Sequence, residues 1–192
     1  MKQAAVELIG TFFLMLVIGL TVLEPGAGAM APLAIGATLM VMVYAGGHIS
    51  GGHYNPAVTL AVWMRGKCET HAVPSYMAAQ VLGAVLAAAV VRICKPERAA
   101  AARSLEATQV LLVELLFTFA LAFVVLNVAT AKKTAGNSYF GLAIGMTVMA
   151  GAYAAGNISG GVFNPAVAVG LSLLKLSAPD HLWLFLVANL AG

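Results

Sequence analysis

Two short stretches of the chain carry the same polar residues in the same order. Asn55-Pro56-Ala57 and Asn164-Pro165-Ala166 are each separated by two residues from a preceding Ile-Ser-Gly-Gly. Asparagine is a favoured helix N-cap and proline a favoured first helical residue, so each triplet predicts the start of a helix. The cap uses the side-chain oxygen of asparagine and leaves its NH2 group free to donate. Two such groups could bind and orient a small polar molecule, whereas one triplet alone would indicate only an ordinary helix cap.

Both triplets belong to a longer internal repeat. When the chain is shifted by 109 residues, positions 33–58 fall on positions 142–167 with 17 identities in 26 positions. The identities include Tyr44 with Tyr153 as well as the two triplets, so low complexity does not explain them. A repeat of this kind predicts two halves with the same local structure.

The composition places these halves in a membrane. Of the 192 residues, 61% are hydrophobic and 9% are charged, and the mean hydropathy is +0.96. Soluble domains carry roughly 25% charged residues. The net charge is +3 and the ten Lys and Arg residues are scattered, so no basic surface indicates nucleic acid. Cys68 and Cys94 flank one apolar segment, and we expect neither a disulfide between them nor a metal site or cofactor.

Hydrophobic segments predict six membrane-spanning helices, three in each half. They cover residues 4–23, 31–47, 75–93, 105–129, 139–156 and 182 onward. The segments that follow the triplets, 56–64 and 165–174, are too short to cross a bilayer. The predicted organisation is a first half at 1–94, a connector at 95–106 and a second half at 107–192. We expect the first segment to be a retained span rather than a signal peptide, and the sixth to be cut short relative to its counterpart in the first half.

Three spans in each half place the second half upside down relative to the first. Such inverted repeats are related by a two-fold axis in the membrane plane. The two short helices would then enter from opposite faces and meet near the middle, which brings Asn55 and Asn164 together. Both helix N-termini add partial positive charge there. A water molecule held between the two amides presents its oxygen to both and is then a poor link in a proton wire. The positive charge of the helix N-termini opposes cations.

The charged residues leave the orientation of the chain open. One side is expected to carry Lys2, Arg65, Lys67, Lys132 and Lys133. The other side is expected to carry Arg92, Lys95, Arg98, Arg103 and Lys175. Five cations on each side give the positive-inside rule no preference.

The residues before the triplets predict irregular backbone inside the membrane. Such backbone is tolerated only where it lines a wet cavity or is buried in protein. Glycine leaves neighbouring carbonyl groups unobstructed, so these groups can face the cavity as hydrogen-bond acceptors. The carbonyls expected to line it are those of Ser50, Gly51, Gly52, Ser159, Gly160 and Gly161.

Three further polar residues are candidates for holding the irregular segments in place. Glu7 and Glu114 occupy matching positions in the first and fourth spans. A carboxylate inside a span is costly and usually functional. We expect both to accept hydrogen bonds from the loops, with a proton-relay pair as the alternative. His48 follows the second span and is expected to anchor its loop, with a titrating or gating role as the alternative.

The paired motifs and the six-span inverted repeat resemble the aquaporin or major intrinsic protein family over the whole chain. The resemblance implies an all-α integral membrane fold, a right-handed bundle of six transmembrane helices plus two re-entrant half-helices. It also implies a homotetramer with one pore per subunit, in which water or small neutral solutes cross the lipid bilayer passively. We expect a multi-pass protein of the cell membrane, in the bacterial inner membrane, with cytoplasmic termini.

In this family four positions set the narrowest point of the pore, and the resemblance carries them to Ile35, Ala152, Gly161 and Val167. Water-selective members typically have an aromatic residue, a histidine, a small residue and an arginine there. Valine in place of arginine looks like some plant vacuolar members that pass more than water. Ala168 replaces the aspartate of glycerol-conducting members, which argues against a dedicated glycerol channel. We expect a wider, more apolar constriction that passes water and also ammonia, urea or hydrogen peroxide.

Functions other than a passive channel fit the residues less well. A secondary transporter shares the inverted repeat but needs ionisable coupling sites, and Asn55 and Asn164 are neutral. A junction or scaffold protein could use the fold without conducting. An enzyme is not expected, because no nucleophile, base and metal set converges. An apolar ring could also slow water by dewetting, which would leave a facilitator that prefers solutes.

Overall fold

The structure is a computed structural model that describes residues 1–96 and 105–192. Its α-helices within these ranges are α1 (Lys2–Val22), α2 (Ala31–Ser50), α3 (Pro56–Met64), α4 (Ala72–Cys94), α5 (Ala107–Val125), α6 (Phe140–Ala155), α7 (Pro165–Leu173) and α8 (Leu182–Ala191). The two predicted short helices are α3 and α7, and the six predicted spans correspond to the other six. Within the predicted connector, residues 97–104, including Arg98 and Arg103, lie outside the described residues.

Four of the described helical segments are long and apolar enough to cross a membrane. They are α1, α2 with the turn before it (Gly28–Ser50), α4, and α5 with the π-helical turn after it (Ala107–Thr130). Only 28–39% of each apolar window is buried within the chain, so the remaining residues keep surface that can face lipid or neighbouring protein. The two remaining spans are shorter, since α6 has 16 residues and α8 has 10.

Equivalent glycines let the first and last spans of each half cross at close range. A Cβ added to Gly83 on α4 would lie 2.5 Å from the carbonyl oxygen of Leu8 on α1. A Cβ added to Gly192, which directly follows α8, would lie 2.3 Å from the carbonyl oxygen of Leu115 on α5. Small residues of this kind allow helix backbones in membranes to touch. The same contact therefore occurs in both halves, as the repeat predicts.

The two halves pack against each other where α2 crosses α6. A Cβ on Gly36 would lie 2.7 Å from the carbonyl oxygen of Gly145, and a Cβ on Gly145 would lie 2.4 Å from that of Gly36. Each glycine thus lies against the backbone of the other, and the two halves are in direct contact at this crossing. The irregular segments that lead to the two triplets follow directly after α2 and α6.

The half-helices α3 and α7 each pack against both halves, since α3 also contacts α4 and α7 also contacts α8 of their own halves. Each has nine residues, a length of about 14 Å at 1.5 Å per residue. α7 packs on α4 and α1 of the first half, and α3 packs on α5 and α8 of the second. Their N-terminal ends meet in the middle of the bundle.

Candidate functional site

Both half-helices begin at an asparagine that caps them. The Oδ1 atom of Asn55 accepts a hydrogen bond from the backbone N–H of Ala57 at 2.8 Å. The Oδ1 atom of Asn164 accepts from Ala166 at 3.0 Å and from Val167 at 3.4 Å. Both asparagines have extended backbone, with φ of −158° and −157°. These are the caps that the sequence predicts at the two triplets.

Each asparagine also binds the opposite loop. Asn55 Nδ2 donates to the carbonyl oxygen of Phe163 at 2.8 Å, and Asn164 Nδ2 donates to that of Tyr54 at 2.9 Å. An NH2 group has two hydrogens, so each amide keeps one further donor. The sequence predicts a free NH2 group on each asparagine, because a backbone carbonyl acceptor gives no sequence signal. The cross-loop pair fixes the distance between the two helix N-termini.

The acceptor residues have a conformation that needs support. Tyr54 and Phe163 have φ of +50° and +48°, in the left-handed region that residues other than glycine rarely adopt. Both residues are only 1% exposed. Gly52 and Gly161, two residues earlier, have φ of +65° and +66°, which explains why glycine occurs there. A backbone conformation of this kind costs free energy, and it persists only where the surrounding contacts hold it in place.

The carboxylate of Glu7 supplies much of this support to the first loop. Its two oxygens accept hydrogen bonds from four donors, and the residue is fully buried. The donors are the Ser50 hydroxyl (2.6 Å), the backbone N–H groups of His53 (2.9 Å) and Tyr54 (2.6 Å), and Gln80 Nε2 (2.8 Å).

Glu114 has the equivalent position in the second half. It accepts from the Ser159 hydroxyl at 2.5 Å and from the N–H groups of Val162 at 2.9 Å and Phe163 at 2.7 Å. It is also fully buried. Each carboxylate thus satisfies the N–H of a left-handed residue whose carbonyl binds the opposite asparagine.

A further network behind Glu7 was missed by the sequence analysis. Gln80 Nε2 also donates to the Thr59 hydroxyl at 2.9 Å, and the Nδ1 atom of His53 lies 3.2 Å from the same oxygen. Asn189 occupies the Gln80 position in the second half, where it accepts from Thr118 at 3.0 Å. The 109-residue repeat aligns Gln80 with Asn189, so a polar pair inside two apolar spans was the available signal.

The anchoring role expected for His48 is taken by another histidine. His48 is exposed and forms no hydrogen bond with residues in the described ranges. The reason is that α2 continues to Ser50 rather than ending at Gly47, and its buried face carries Gly46 and Ser50. His48 lies two residues from each of these and therefore on the opposite face. His53, in the loop itself, is buried and bonded as described above.

A cavity of about 680 Å³ runs past the two asparagines. Its wall also contains all four residues that the resemblance assigned to the narrowest point, Ile35, Ala152, Gly161 and Val167. Ile35, Ala152 and Val167 are 8%, 8% and 2% exposed. They therefore meet the cavity with a small part of their surface and are otherwise packed within the protein.

The backbone segments expected along the wall are placed unequally. Gly52, Ser159, Gly160 and Gly161 line the cavity. Ser50 and Gly51 are not among the described residues of the wall. Ser50 is the last residue of α2, and its carbonyl oxygen accepts from the Tyr76 hydroxyl at 2.8 Å. Its carbonyl is thus engaged by α4 instead of facing the cavity.

Comparison with known proteins identifies the architecture. The sequence model of the major intrinsic protein family matches residues 26–192. The chain belongs to this family. Aquaporin NIP1-3 of Oryza sativa subsp. japonica is 38% identical over 205 residues, which cover all of this chain and 70% of that protein. Putative aquaporin NIP4-1 of Arabidopsis thaliana is 34% identical over 201 residues, which cover all of this chain and 70% of that protein. Aquaporin NIP1-1 of Zea mays is 35% identical over 201 residues, which cover all of this chain and 71% of that protein.

The fold is also similar to that of a solved structure. The aquaglyceroporin from Plasmodium falciparum superposes with a TM-score of 0.83 at 21% identity, covering all of this chain and 91% of that one. The predicted family and the predicted all-α fold are confirmed. As a major intrinsic protein, the chain is a multi-pass membrane channel and not an enzyme. The relatives named here are plant proteins, so they give no support to the bacterial inner membrane expected from the sequence.

The channel contains little charge. Among the described residues that line the cavity, Glu24 is the one Asp, Glu, Lys or Arg, and it lies just past the end of α1. The other polar residues of the described wall contribute amides, hydroxyls and backbone groups, and they include His53. No Lys or Arg is among the described wall residues, so the positive charge at the centre of the cavity is the partial charge of the α3 and α7 N-termini, which opposes cations.

The cross-loop bonds predict a strong effect of one isosteric change. Asn55→Asp keeps the cap oxygen but turns the other oxygen toward the Phe163 carbonyl, so a hydrogen bond is replaced by repulsion. We expect a loss of about 1–3 kcal/mol of stability, lower water permeability and a weaker barrier to cations. Stopped-flow light scattering and a potassium-leak assay on proteoliposomes would measure both effects. Asn157→Asp adds the same charge to the same wall without touching a cross-loop bond, and it should leave water permeability nearly unchanged. Equal effects of the two variants would contradict the role given to Asn55.

Proposed function

We propose that the chain forms a passive pore for water and small neutral solutes with an apolar selectivity region made by Ile35, Ala152, Gly161 and Val167. The observation that carries the proposal is that these four uncharged residues stand in the wall of the same cavity as both asparagines. The relatives named above are aquaporins, and this supports water as one permeant.

The pore motif would act through Asn55, Pro56 and Ala57 with Asn164, Pro165 and Ala166. In this proposal the second N–H of each asparagine amide donates to the passing molecule. The backbone carbonyls of Gly52 and of the segment from Ser159 to Gly161 accept from it. A solute that both donates and accepts, such as water or urea, can then exchange one set of hydrogen bonds for another as it moves.

The solute range follows from what the constriction lacks. Without an arginine, the four residues of the selectivity region offer no fixed charge and few donors, and this supports passage of urea, ammonia or hydrogen peroxide beside water. The alternative is a facilitator that prefers solutes and passes water slowly. The low exposure of Ile35, Ala152 and Val167 supports that alternative, because a close-fitting apolar ring is prone to dewetting.

A secondary transporter is less well supported. It would need an ionisable group that meets the substrate, and the candidates are Glu7 and Glu114. Neither carboxylate is among the described residues of the cavity wall, and their oxygens are occupied by backbone and side-chain donors. Loop anchoring accounts for both residues without a proton relay.

We further propose that the chain assembles as a homotetramer with one pore per subunit and with its termini on the cytoplasmic side, which the family resemblance supports. The largely unburied apolar surfaces of α1, α2, α4 and α5 are compatible with both lipid and subunit contacts.

Purified protein in liposomes tests the proposal directly. Water, urea and glycerol gradients would be applied side by side and vesicle volume followed by light scattering. Fast urea uptake together with water supports the proposed selectivity, and fast urea with slow water supports the facilitator. Water alone would mean that the apolar ring excludes urea, and solute accumulation against a gradient would indicate a transporter. No permeability above empty vesicles would contradict every conducting function.

A further inference from the structure

A second cavity of about 690 Å³ lies away from the channel and collects positive charge. Its wall combines the turn after α3 with the segment that follows α5. Four cationic side chains line it, Arg65 and Lys67 from the first and Lys132 and Lys133 from the second. We refer to it as the basic cavity. No acidic residue is among its described lining residues.

The four cations have no partner among the residues that the structure describes. Among the residues in the described ranges, none of these side chains forms an ion pair or a hydrogen bond. Glu69 is nearby in sequence, but its carboxylate lies 3.3 Å from His71 and outside the cavity wall. Like charges that gather without counter-charges raise the local potential and attract anions.

The backbone on both walls is fixed in place. Thr134 donates its hydroxyl to the Asn127 carbonyl at 2.6 Å, and Asn137 Nδ2 donates to the Val128 carbonyl at 2.7 Å. On the other wall the N–H of Lys67 donates to Val62 at 3.0 Å. These bonds occupy the neighbouring carbonyl oxygens. The charged groups that the described wall presents to a ligand are the four cationic side chains.

The position of the cavity suits a ligand at the membrane surface. It lies where α3 and α5 end, and Met64, next to Arg65, is 73% exposed. Trp63 is also exposed, and tryptophan is enriched at membrane interfaces. An acyl chain could lie along this apolar surface while its headgroup reaches the four cations. Basic pockets between membrane helices bind anionic lipid headgroups in this way.

We propose that the basic cavity binds a phosphate group, carried by an anionic phospholipid headgroup or by a soluble phosphate compound. Arg65 provides a planar set of donors that matches phosphate oxygens, and the three lysines add mobile positive charge. The site connects the end of the half-helix that begins at Asn55 with the segment that joins α5 to α6. It is independent of the solute that crosses the pore.

Titration of the purified full chain in neutral detergent with phosphatidylglycerol and phosphatidylcholine, read by native mass spectrometry, tests the proposal. We expect tighter binding of phosphatidylglycerol, weakened by added salt. The double variant Lys132→Gln with Lys133→Gln should lose affinity by about fivefold per removed cation, hence about 25-fold. The matched control, Lys2→Gln with Lys175→Gln, removes the same charge from exposed positions outside the cavity and should bind almost as well as the native chain.

Inorganic phosphate added as a competitor distinguishes the two sources. Displacement of the lipid by phosphate at millimolar concentration supports a soluble phosphate ligand, and resistance to it supports a headgroup. Equal affinity for the two lipids, or equal loss in the double variant and its control, would overturn the proposal. The native chain's salt dependence gives the same decision if a variant fails to fold, since salt-independent binding excludes a charge-based site. None of these readouts depends on permeability.

Discussion

Val167→Arg is expected to lower the urea permeability of the pore by about tenfold or more while reducing water permeability less. Val167 lies on the cavity wall but is only 2% exposed, so its surroundings have no space for a longer side chain. The arginine must therefore extend into the cavity. A tenfold decrease corresponds to about 1.4 kcal/mol of added barrier, which the loss of space and the ordering of a guanidinium group can supply.

The effect should differ between solutes for a physical reason. A guanidinium carries five N–H donors, so water can exchange one of its hydrogen bonds for a bond to the protein. Urea is larger and must pass the narrowed section beside Ile35 and Ala152. A fixed cation also opposes other cations, so any leak of potassium should fall. Light scattering with water and urea gradients, together with a potassium flux assay, measures all three quantities.

Val167→Leu separates charge from bulk. Leucine adds volume at the same position without donors or charge, and it should reduce water and urea together while leaving the potassium leak unchanged. Unchanged urea uptake in Val167→Arg would show that this residue does not form the narrow section. The same solute profile in both variants would show that only volume matters there.

Much of the half-helix geometry could be predicted from the sequence because its signals are local. Asn before Pro defines the start of α3, and the observed range Pro56–Met64 is the predicted one. The end of α2 was predicted three residues too early, at Gly47. The helix continues because Ser50 is bonded to Glu7 and Tyr76, contacts that depend on two other helices. The incorrect role given to His48 follows from that boundary.

The link between the two asparagines could not be predicted in the same way. It joins side chains to the carbonyl oxygens of Tyr54 and Phe163, which any residue type could provide. Only the left-handed backbone at those two positions directs the carbonyls across the bundle. The residue types Tyr and Phe do not indicate that conformation, whereas the glycines before them do indicate irregular backbone. Periodic and capping patterns in the sequence therefore predict the helices. Their positions relative to one another depend on tertiary hydrogen bonds, which the sequence does not indicate.

The second large effect is expected from Glu7→Gln, which should destabilise the chain by about 2–5 kcal/mol and abolish most of its permeability. Four donors converge on the two carboxylate oxygens. Glutamine offers one oxygen, and its NH2 group must face the N–H of either His53 or Tyr54. That leaves a buried backbone donor without an acceptor in the segment whose left-handed residue holds Asn164. Thermal unfolding in detergent and water permeability in liposomes would be measured together.

Matched variants decide whether Glu7 anchors the loop or relays protons. Glu114→Gln removes an acceptor of three described donors and should destabilise the chain slightly less than Glu7→Gln. Glu69→Gln removes the same charge at an exposed site and should change neither stability nor permeability. A proton relay would lose proton-coupled flux in Glu7→Gln and retain the native unfolding temperature. An anchor loses stability in proportion to the donors left without acceptors, because the fold of the re-entrant loop depends on those bonds.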